Sequence, residues 1–401
     1  MFGIASGLSG ASGTEQALDE CLRGLADRGI ESPSYLMVQC SASHSLALLG
    51  ERLRARWPGT RLHVATSCLG SLTEERCALG EGAALAMFAI TDPSGDYGTA
   101  AGPLGADPAA AAANAVRAAL ADAARLGESP ALVWISSVPG VEEDVIAGIQ
   151  RVVGESVPIV GGSAADDEIA GAWRVMSDGA PLSDGLVVSV MFPSVRIGAA
   201  FHSGYVPTAL RGRITRADGR QLLEIDGEPA AAVYARWTGN AVPLPEAGTR
   251  NVLSESALWP LGRRLQNIGG ADVHLLSHPE TMRSDGAMTL FTRVEVGEEL
   301  VLMQGSVDAL VQRPLQVVRS ACRIGELAEE SLRGILLVFC AGCMLSARER
   351  MEEVRSSVSA AFPGVALITA FTFGEQGPVL ACQNRHGNLM ISAVVFTDTP
   401  L

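Results

Sequence analysis

The sequence lacks an apolar run long enough to cross a bilayer. The longest apolar stretch covers residues 334–345, whereas a membrane-spanning helix needs about 20 apolar residues. The N-terminus has no basic residue ahead of an apolar segment, so the layout of a secretory signal is also missing. These absences predict a cytoplasmic protein without membrane insertion.

Positive charge is also scarce. The formal net charge is -14, and binding to nucleic acid needs clustered Lys and Arg side chains that neutralise phosphates. The basic pairs Arg211/Arg213 and Arg263/Arg264 are too sparse for that purpose. Nucleic acid is therefore excluded as a partner.

A disulfide framework is absent as well, because the eight cysteines are scattered along the chain. One pair, Cys340-Ala-Gly-Cys343, has the spacing of a redox or zinc pair and follows a predicted strand. Cys382 could join it in space, but no second close pair completes four zinc ligands. Simple packing of buried thiols is the alternative to a redox role.

What the sequence does contain is a large apolar content and a recurring unit. Apolar residues make up 48% of the 401 residues and charged residues 18%, which is typical of a globular chain with two domains. After an opening strand near residue 2, 97 or 299, a unit of helix, strand, helix, strand, turn and strand recurs. The predicted elements include helices over about 14–27, 142–153 and 315–333, strands over 83–90 and 185–192, and hairpins at 204–207, 218–219 and 226–227. We predict an α/β fold of two domains with mixed sheets covered by helices. The N-terminal domain, 1–197, holds two units, and the C-terminal domain, 198–401, holds a β-rich segment and the third unit.

Four segments carry a resemblance to a known family, and they are spread over nearly the whole chain: Val157–Asp167, Leu222–Ala230, Leu302–Ser306 and Phe373–Pro378. The first resembles the end of the N-terminal FIST module, and the others are similar to landmarks of the C-terminal FIST module. The resemblance implies an intracellular sensor of a small ligand. It also implies a separate signalling partner, such as a histidine kinase or a cyclic-di-nucleotide enzyme. One subset of the family binds haem and senses nitric oxide, while other members sense amino acids or related metabolites.

Two small-plus-acidic turns are the predicted ligand site, because each directly follows a strand, where α/β sheets place ligands. The candidate residues are Gly161, Gly162, Ser163, Asp166 and Asp167 in the first turn, Gly374, Glu375 and Gln376 in the second, and Asn384 soon after it. The acids and amides would accept hydrogen bonds from an amine or a cation. The alternative is that the glycines supply unusual dihedral angles and the acids cap neighbouring backbone. We expect these two turns, one from each half of the chain, to surround one enclosed space.

A haem cofactor would require one imidazole in an apolar pocket. His386 is the first candidate ligand, followed by His202 and His278, and the alternative for each is the more common hydrogen-bonded structural histidine. No spacing of residues indicates a metal site. An enzyme using Ser163 or Cys343 as nucleophile is an alternative function, but no nucleophile elbow or phosphate-binding loop supports it. A scaffold without any ligand is a further alternative. Of these functions, we predict a ligand-binding protein rather than an enzyme.

Overall fold

The structure is a computed structural model that describes residues 2–80, 84–268, 271–379 and 383–401. Within these ranges no helix has the length and apolarity that crossing a membrane would require. The predicted strand that starts at Ala83 begins outside the described residues, and Cys382 also lies outside them. The described chain is a mixed α/β fold, as predicted.

The first unit alternates strands with two helices. Its elements are β1 (Gly3–Ser9), α1 (Thr14–Asp27), β2 (Tyr35–Cys40), α2 (Leu46–Arg56), β3 (Arg61–Thr66), β4 (Gly70–Leu72), β5 (Cys77–Leu79) and β6 (Leu85–Thr91). The second helix begins where the Ser45 side chain accepts a hydrogen bond from the N–H of Leu48. It buries Leu46, Leu49 and Leu53, which share one helix face.

The second unit repeats this order. Its elements are β7 (Asp96–Pro103), α3 (Pro108–Asp122), β8 (Leu132–Ser137), α4 (Glu142–Val153), β9 (Ile159–Ser163), β10 (Val175–Met176) and β11 (Gly185–Phe192). Helix α3 starts at Pro108 with the Asp107 side chain as its cap, an arrangement that suits the first turn of a helix. Residues 161–163, which the sequence predicted to be a turn, are the end of strand β9.

The segment between the second and third units is rich in strands, as predicted. Its elements are β12 (Val195–Ser203), β13 (Val206–Asp218), β14 (Gln221–Ile225), β15 (Glu228–Pro229), α5 (Ala230–Trp237), β16 (Thr249–Asn251), α6 (Leu253–Ser256), β17 (Leu261–Ile268), β18 (Ala271–Ser277), β19 (Pro279–Arg283) and β20 (Met288–Leu290). Antiparallel pairing joins β13 to β14, β17 to β18 and β19 to β20. The β13–β14 and β14–β15 pairs are the hairpins predicted at 218–219 and 226–227. Residues 204–207, where a hairpin was also predicted, instead join β12, which pairs with β26, to β13, which pairs with β21.

The third unit completes the chain. Its elements are β21 (Glu299–Gln304), α7 (Val307–Ile324), β22 (Leu332–Cys340), α8 (Ala341–Ser346), α9 (Met351–Ala361), β23 (Ala366–Thr372), β24 (Glu375–Val379), β25 (Gln383–Gly387) and β26 (Met390–Pro400). The prediction of a helix over 315–333 was wrong, because α7 starts at Val307 and ends at Ile324. The predicted turn at 374–377 was also wrong, since Glu375 already belongs to strand β24.

The pairing of strands confirms the recurring unit. In each unit a parallel pair, β2–β3, β8–β9 or β22–β23, is followed by an antiparallel return strand, β6, β11 or β26. The sheets of the three units have the orders β1-β6-β2-β3-β10, β25-β24-β9-β8-β11-β7 and β12-β26-β22-β23. The β-rich segment and β21 of the third unit form a further sheet with the order β16-β19-β20-β14-β13-β21-β17-β18. The second sheet therefore contains strands from both predicted domains.

One apolar cluster takes side chains from all three units. Phe88 on β6, Trp134 on β8 and Phe396 on β26 are buried in the same cluster. Burial of large aromatic side chains is among the strongest stabilising contributions in a core. The three sheets thus pack around a shared centre.

Candidate functional site

A cavity of about 720 Å³ lies between the repeat units and the β-rich segment. It borders Cys340 and Thr372, the last residues of β22 and β23, and Gly140, which follows β8. The carboxyl ends of parallel strands are where open α/β sheets bind ligands. The cavity is therefore the candidate ligand site of the described chain.

The cavity walls are largely apolar. Trp173 and Phe373 meet edge to face with ring centroids 6.2 Å apart, and both border the cavity. Leu253 and Phe291 line the side formed by the β-rich segment. The side chains of Ile169 and Leu345, which also border the cavity, are 53% and 50% exposed. These two exposed apolar residues mark its mouth, where a ligand would cover them.

Charge on the cavity wall is confined to two side chains among its lining residues, Arg220 and Glu280. Burial raises the pKa of the Glu280 carboxyl, and Arg220 opposes that effect. Burial lowers the pKa of the neighbouring His278 to about 4, so its imidazole is neutral at pH 7. The Nε2 of His278 donates to the carbonyl oxygen of Leu253 at 3.0 Å.

Arg220 belongs to a buried ionic cluster beside the cavity. The Nη2 atom of Arg220 donates to Glu142 at 2.7 Å and to Glu143 at 2.9 Å. Ser163 donates to Glu142 at 2.6 Å, and His386 Nδ1 lies 3.2 Å from Glu143. Burial alone would raise the pKa of both carboxyl groups, but their interactions with His386 and Arg220 outweigh it and lower each pKa. Both carboxylates are therefore ionised at neutral pH.

The same cluster offers ligand atoms to a metal ion. Oxygens of Glu142 and Glu143 and a ring nitrogen of His386 lie within 4.8 Å of one another. The Nε2 of His386 is buried and has no hydrogen-bond partner among the described residues. However, Arg220 already binds both carboxylates and supplies a positive charge there. That no metal binds this chain stays a prediction.

The two predicted turns do come together. Gly162 pairs with Glu375, and Gly161 pairs with Gln376, in the antiparallel pairing of β9 with β24. Neither these four residues nor the other predicted ligand residues are among those that border the cavity. Asp166 and Glu375 are both buried. The two turns therefore meet through strand pairing, and the expectation that they surround one enclosed space was wrong for this cavity.

Each predicted polar residue contacts the chain itself. Asp166 accepts hydrogen bonds from the N–H groups of residues 168, 170 and 172, and Asp167 accepts one from the N–H of Leu69 at 2.6 Å. The Asn384 side chain bonds the backbone of Ile159 and Val157, at 2.8 Å in both cases. These contacts match the alternative interpretation, in which the acids cap backbone. A direct contact of these residues with a ligand stays a prediction.

The three histidines proposed for haem lie in different surroundings. His386 is buried in the ionic cluster, and His202 is exposed on β12. Only His278 of the three borders the cavity. Arg220, Glu280, Trp173 and Phe291, in contrast, were not predicted, because they come from separate segments of the chain and share no motif or spacing.

Comparison with known proteins identifies both halves of the chain. The model of the FIST N domain matches residues 34–228, and that of the FIST C domain matches residues 230–378. Uncharacterized protein MJ1623 from Methanocaldococcus jannaschii is 31% identical over 104 residues, 26% of this chain and 20% of that protein. The chain thus matches about one fifth of the length of that curated relative.

Two solved structures show weaker likeness. The cyanuric acid hydrolase from A. caulinodans has a TM-score of 0.41 and 11% identity, with 99% of this chain and 100% of that chain covered. A second cyanuric acid hydrolase structure has a TM-score of 0.30 and 12% identity over 51% of this chain and 72% of that chain. At TM-scores this low, neither likeness supports a statement about activity.

Proposed function

Because the chain belongs to the FIST family and carries both its N and its C domain, we propose that it senses a small amphipathic amine, such as an amino acid. FIST domains are small-ligand sensory domains. The proposed ligand binds in the cavity, and its bound state is read by a separate signalling protein, such as a histidine kinase or a cyclic-di-nucleotide enzyme. The observation that carries the proposal is an aromatic cavity with an acidic end.

The acidic end follows from a count of nearby charges. Arg220 binds both Glu142 and Glu143, so its single positive charge is matched by two carboxylates, of which Glu143 also pairs with His386. Glu280 adds a further carboxyl group on the cavity wall. The electrostatic potential at this end therefore favours an ammonium group, while Trp173 and Phe291 pack against an apolar body.

The position of the cavity supplies a way to transmit occupancy. Gly140 and Trp173 belong to the segment that matches the FIST N domain, whereas Glu280 and Phe373 belong to the segment that matches the FIST C domain. A ligand that contacts both segments stabilises the conformation in which they lie close together. A partner that distinguishes this conformation from the open one would then respond to the ligand.

We expect Glu280→Gln to weaken binding of an amine ligand by about 10- to 100-fold, because a hydrogen bond to a charged group contributes about 1.5 to 3 kcal/mol. The measurement is isothermal titration calorimetry after a thermal-shift screen of amino acids. The probes are L-leucine and L-phenylalanine beside the matching carboxylic acids without the amine. Affinity should fall at low pH, because the Glu280 carboxyl must be ionised to bind the amine.

The matched control is Glu51→Gln, which removes an exposed carboxylate from α2 far along the chain. It should bind every probe as the unaltered protein does. Equal affinity for an amino acid and its deaminated counterpart would contradict the role of Glu280. If no amine in the screen raises the melting temperature, the proposed ligand class is wrong.

Haem was the other ligand class that the family resemblance suggested, and of its three proposed histidines His278 lies on the wall of the cavity. The Nε2 of His278 is directed at the carbonyl oxygen of Leu253, so this ring does not fit haem coordination unless it rotates. We therefore expect that haem is not the ligand. The protein supplied with ferrous haem should show no Soret band that is lost in His278→Ala, and nitric oxide should not shift its absorption spectrum. A band that depends on His278 would instead identify a haem sensor.

We propose binding without catalysis. The hydroxyl of Ser163 donates to Glu142 and lies outside the residues that line the cavity. The Glu142 carboxylate is a weak base for activating this hydroxyl, because its pKa is lowered and it is also bound to Arg220. Turnover of any bound amine that Ser163→Ala abolishes would contradict this proposal.

A further inference from the structure

One residue at the mouth of the cavity has an unfavourable backbone conformation. Ile169 has a φ of +58°, in the left-handed region that L-amino acids avoid and that β-branched residues avoid most of all. Seven non-glycine residues in the described chain have a positive φ, and Ile169 is the one β-branched residue among them. This conformation has a cost in folding free energy that the surrounding structure must offset.

A buried carboxylate holds the loop around Ile169. Asp166 is 1% exposed. Its oxygens accept hydrogen bonds from the N–H groups of Glu168 at 3.3 Å, Ala170 at 3.0 Å and Ala172 at 2.7 Å. These donors lie on both sides of Ile169 in the sequence, so the carboxylate fixes the turn in which Ile169 takes its positive φ.

Neither a turn nor a core explains an isoleucine at this position. A residue with positive φ in a turn is ordinarily glycine or asparagine, and Gly171 in the same loop already has a φ of +82°. The Ile169 side chain is 53% exposed, so folding leaves much of its apolar surface in water. Strained residues cluster at ligand clamps, among other functional sites. Because Ile169 borders the cavity, a bound ligand is the group that would cover it.

Other apolar side chains of the cavity are available to the same ligand. Trp173, at the end of this loop, contacts Phe373 edge to face, and both border the cavity. Leu345 of α8 is 50% exposed and borders it too. A large apolar group that covers such side chains gains the free energy of removing their surface from water, whereas a single methyl group covers little of it.

We propose that Ile169 is a specificity-determining residue that packs over the side chain of the bound ligand. This inference rests on the proposed function for its ligand, an amino acid, and it narrows that class to amino acids with a large apolar side chain. Asp166 is then a positioning residue, because it acts on the ligand through Ile169. The strain in the loop is retained because glycine or asparagine at this position would leave the ligand uncovered.

The test is isothermal titration calorimetry of the full chain with L-leucine and L-alanine. The unaltered protein should bind L-leucine at least about 10-fold more tightly, because its side chain buries more apolar surface. Ile169→Gly should weaken L-leucine binding by about 10-fold and remove most of this preference, whereas Ile169→Val should retain it. The matched control is Ala124→Gly, which changes an exposed residue with a φ of +57° that is not among those bordering the cavity. It should leave both affinities unchanged.

Thermal stability without ligand gives a second readout. Ile169→Gly should melt at the same temperature as the unaltered protein or about 1 to 3 °C higher, because relief of strain offsets the entropy that glycine adds to the unfolded chain. A clearly lower melting temperature would mean that Ile169 is there to stabilise the free fold. An unchanged preference for L-leucine in Ile169→Gly would mean that Ile169 does not contact the ligand. Either result overturns the inference.

Failure of the proposed function itself gives a different result. If neither amino acid binds the unaltered protein, the proposed ligand class is wrong, and the uncharged apolar dye Nile red then tests Ile169 alone. Its fluorescence should rise on binding to the unaltered protein, with a dissociation constant about 10-fold higher for Ile169→Gly. Absent dye binding, or equal binding by the two proteins, would overturn the role of Ile169 whatever the ligand is.

Discussion

Gly161→Ala is expected to lower the free energy of unfolding by about 4 kcal/mol or more, which places it among the most destabilising single substitutions. A Cβ atom at this position would lie 1.9 Å from the carbonyl oxygen of Ile135 on the neighbouring strand β8. The backbone at Gly161 also has a φ of +152°, which side chains rarely adopt. Because the obstacle is backbone in a parallel pair of strands, the structure has no flexible atom to move aside.

The matched control is Gly102→Ala in strand β7 of the same sheet, where a Cβ atom would meet nothing within 4 Å. Its free energy of unfolding should stay within about 1 kcal/mol of the original value. Urea unfolding followed by tryptophan fluorescence measures both variants. Equal midpoints for the two variants would show that the approach of β8 to Gly161 does not constrain the fold.

Gly161 also shows how far a sequence can define a site. The glycine pair predicted a close approach of backbone, and the structure contains one, but the approaching group is the neighbouring strand. A Cβ atom at Gly162 would likewise lie 2.4 Å from the Thr372 side chain. The sequence reveals that a position needs glycine, whereas the identity of the neighbour depends on how β9, β8 and β23 pack together.

Local signals predicted the elements best. The bounds of α1, α4 and β11 agree with those predicted, because apolar periodicity and flanking turns are encoded within each segment. The start of α7 was missed since Pro314 ordinarily disfavours a helix interior. Here Ser306 caps the helix, and burial of Leu310 and Val311 offsets the cost of the proline.

The cavity could not be predicted from such signals. Gly140, Arg220, Glu280 and Cys340 are separated by long stretches of chain, and they meet only because the β-rich segment packs on the ends of the repeat strands. No alternation of apolar residues encodes that packing. The repeat predicted that the ligand site would lie at the ends of the strands. The tertiary arrangement determines which side chains line the cavity there.

Arg220→Met is expected to lower the free energy of unfolding by about 3 to 5 kcal/mol at pH 7, because it leaves buried carboxylates without their cation. Glu142 is 2% exposed and Glu143 25% exposed, and both bind the same guanidinium nitrogen. Methionine retains an apolar stem of similar length, so most of the loss is electrostatic. The control is Arg216→Met, whose exposed pair with Glu224 should contribute less than about 1 kcal/mol.

The dependence on pH separates charge from packing in this variant. In the unaltered protein the pKa values of Glu142 and Glu143 are lowered, so both groups stabilise the fold above their unfolded pKa of about 4.3, and this contribution is lost as the pH falls. Without Arg220 their pKa values should rise, and protonation then relieves the repulsion between them. The difference in stability between the two proteins should therefore be largest near pH 7 and shrink below about pH 4. A difference that stays constant from neutral to acidic pH would mean that Arg220 acts through its packing alone.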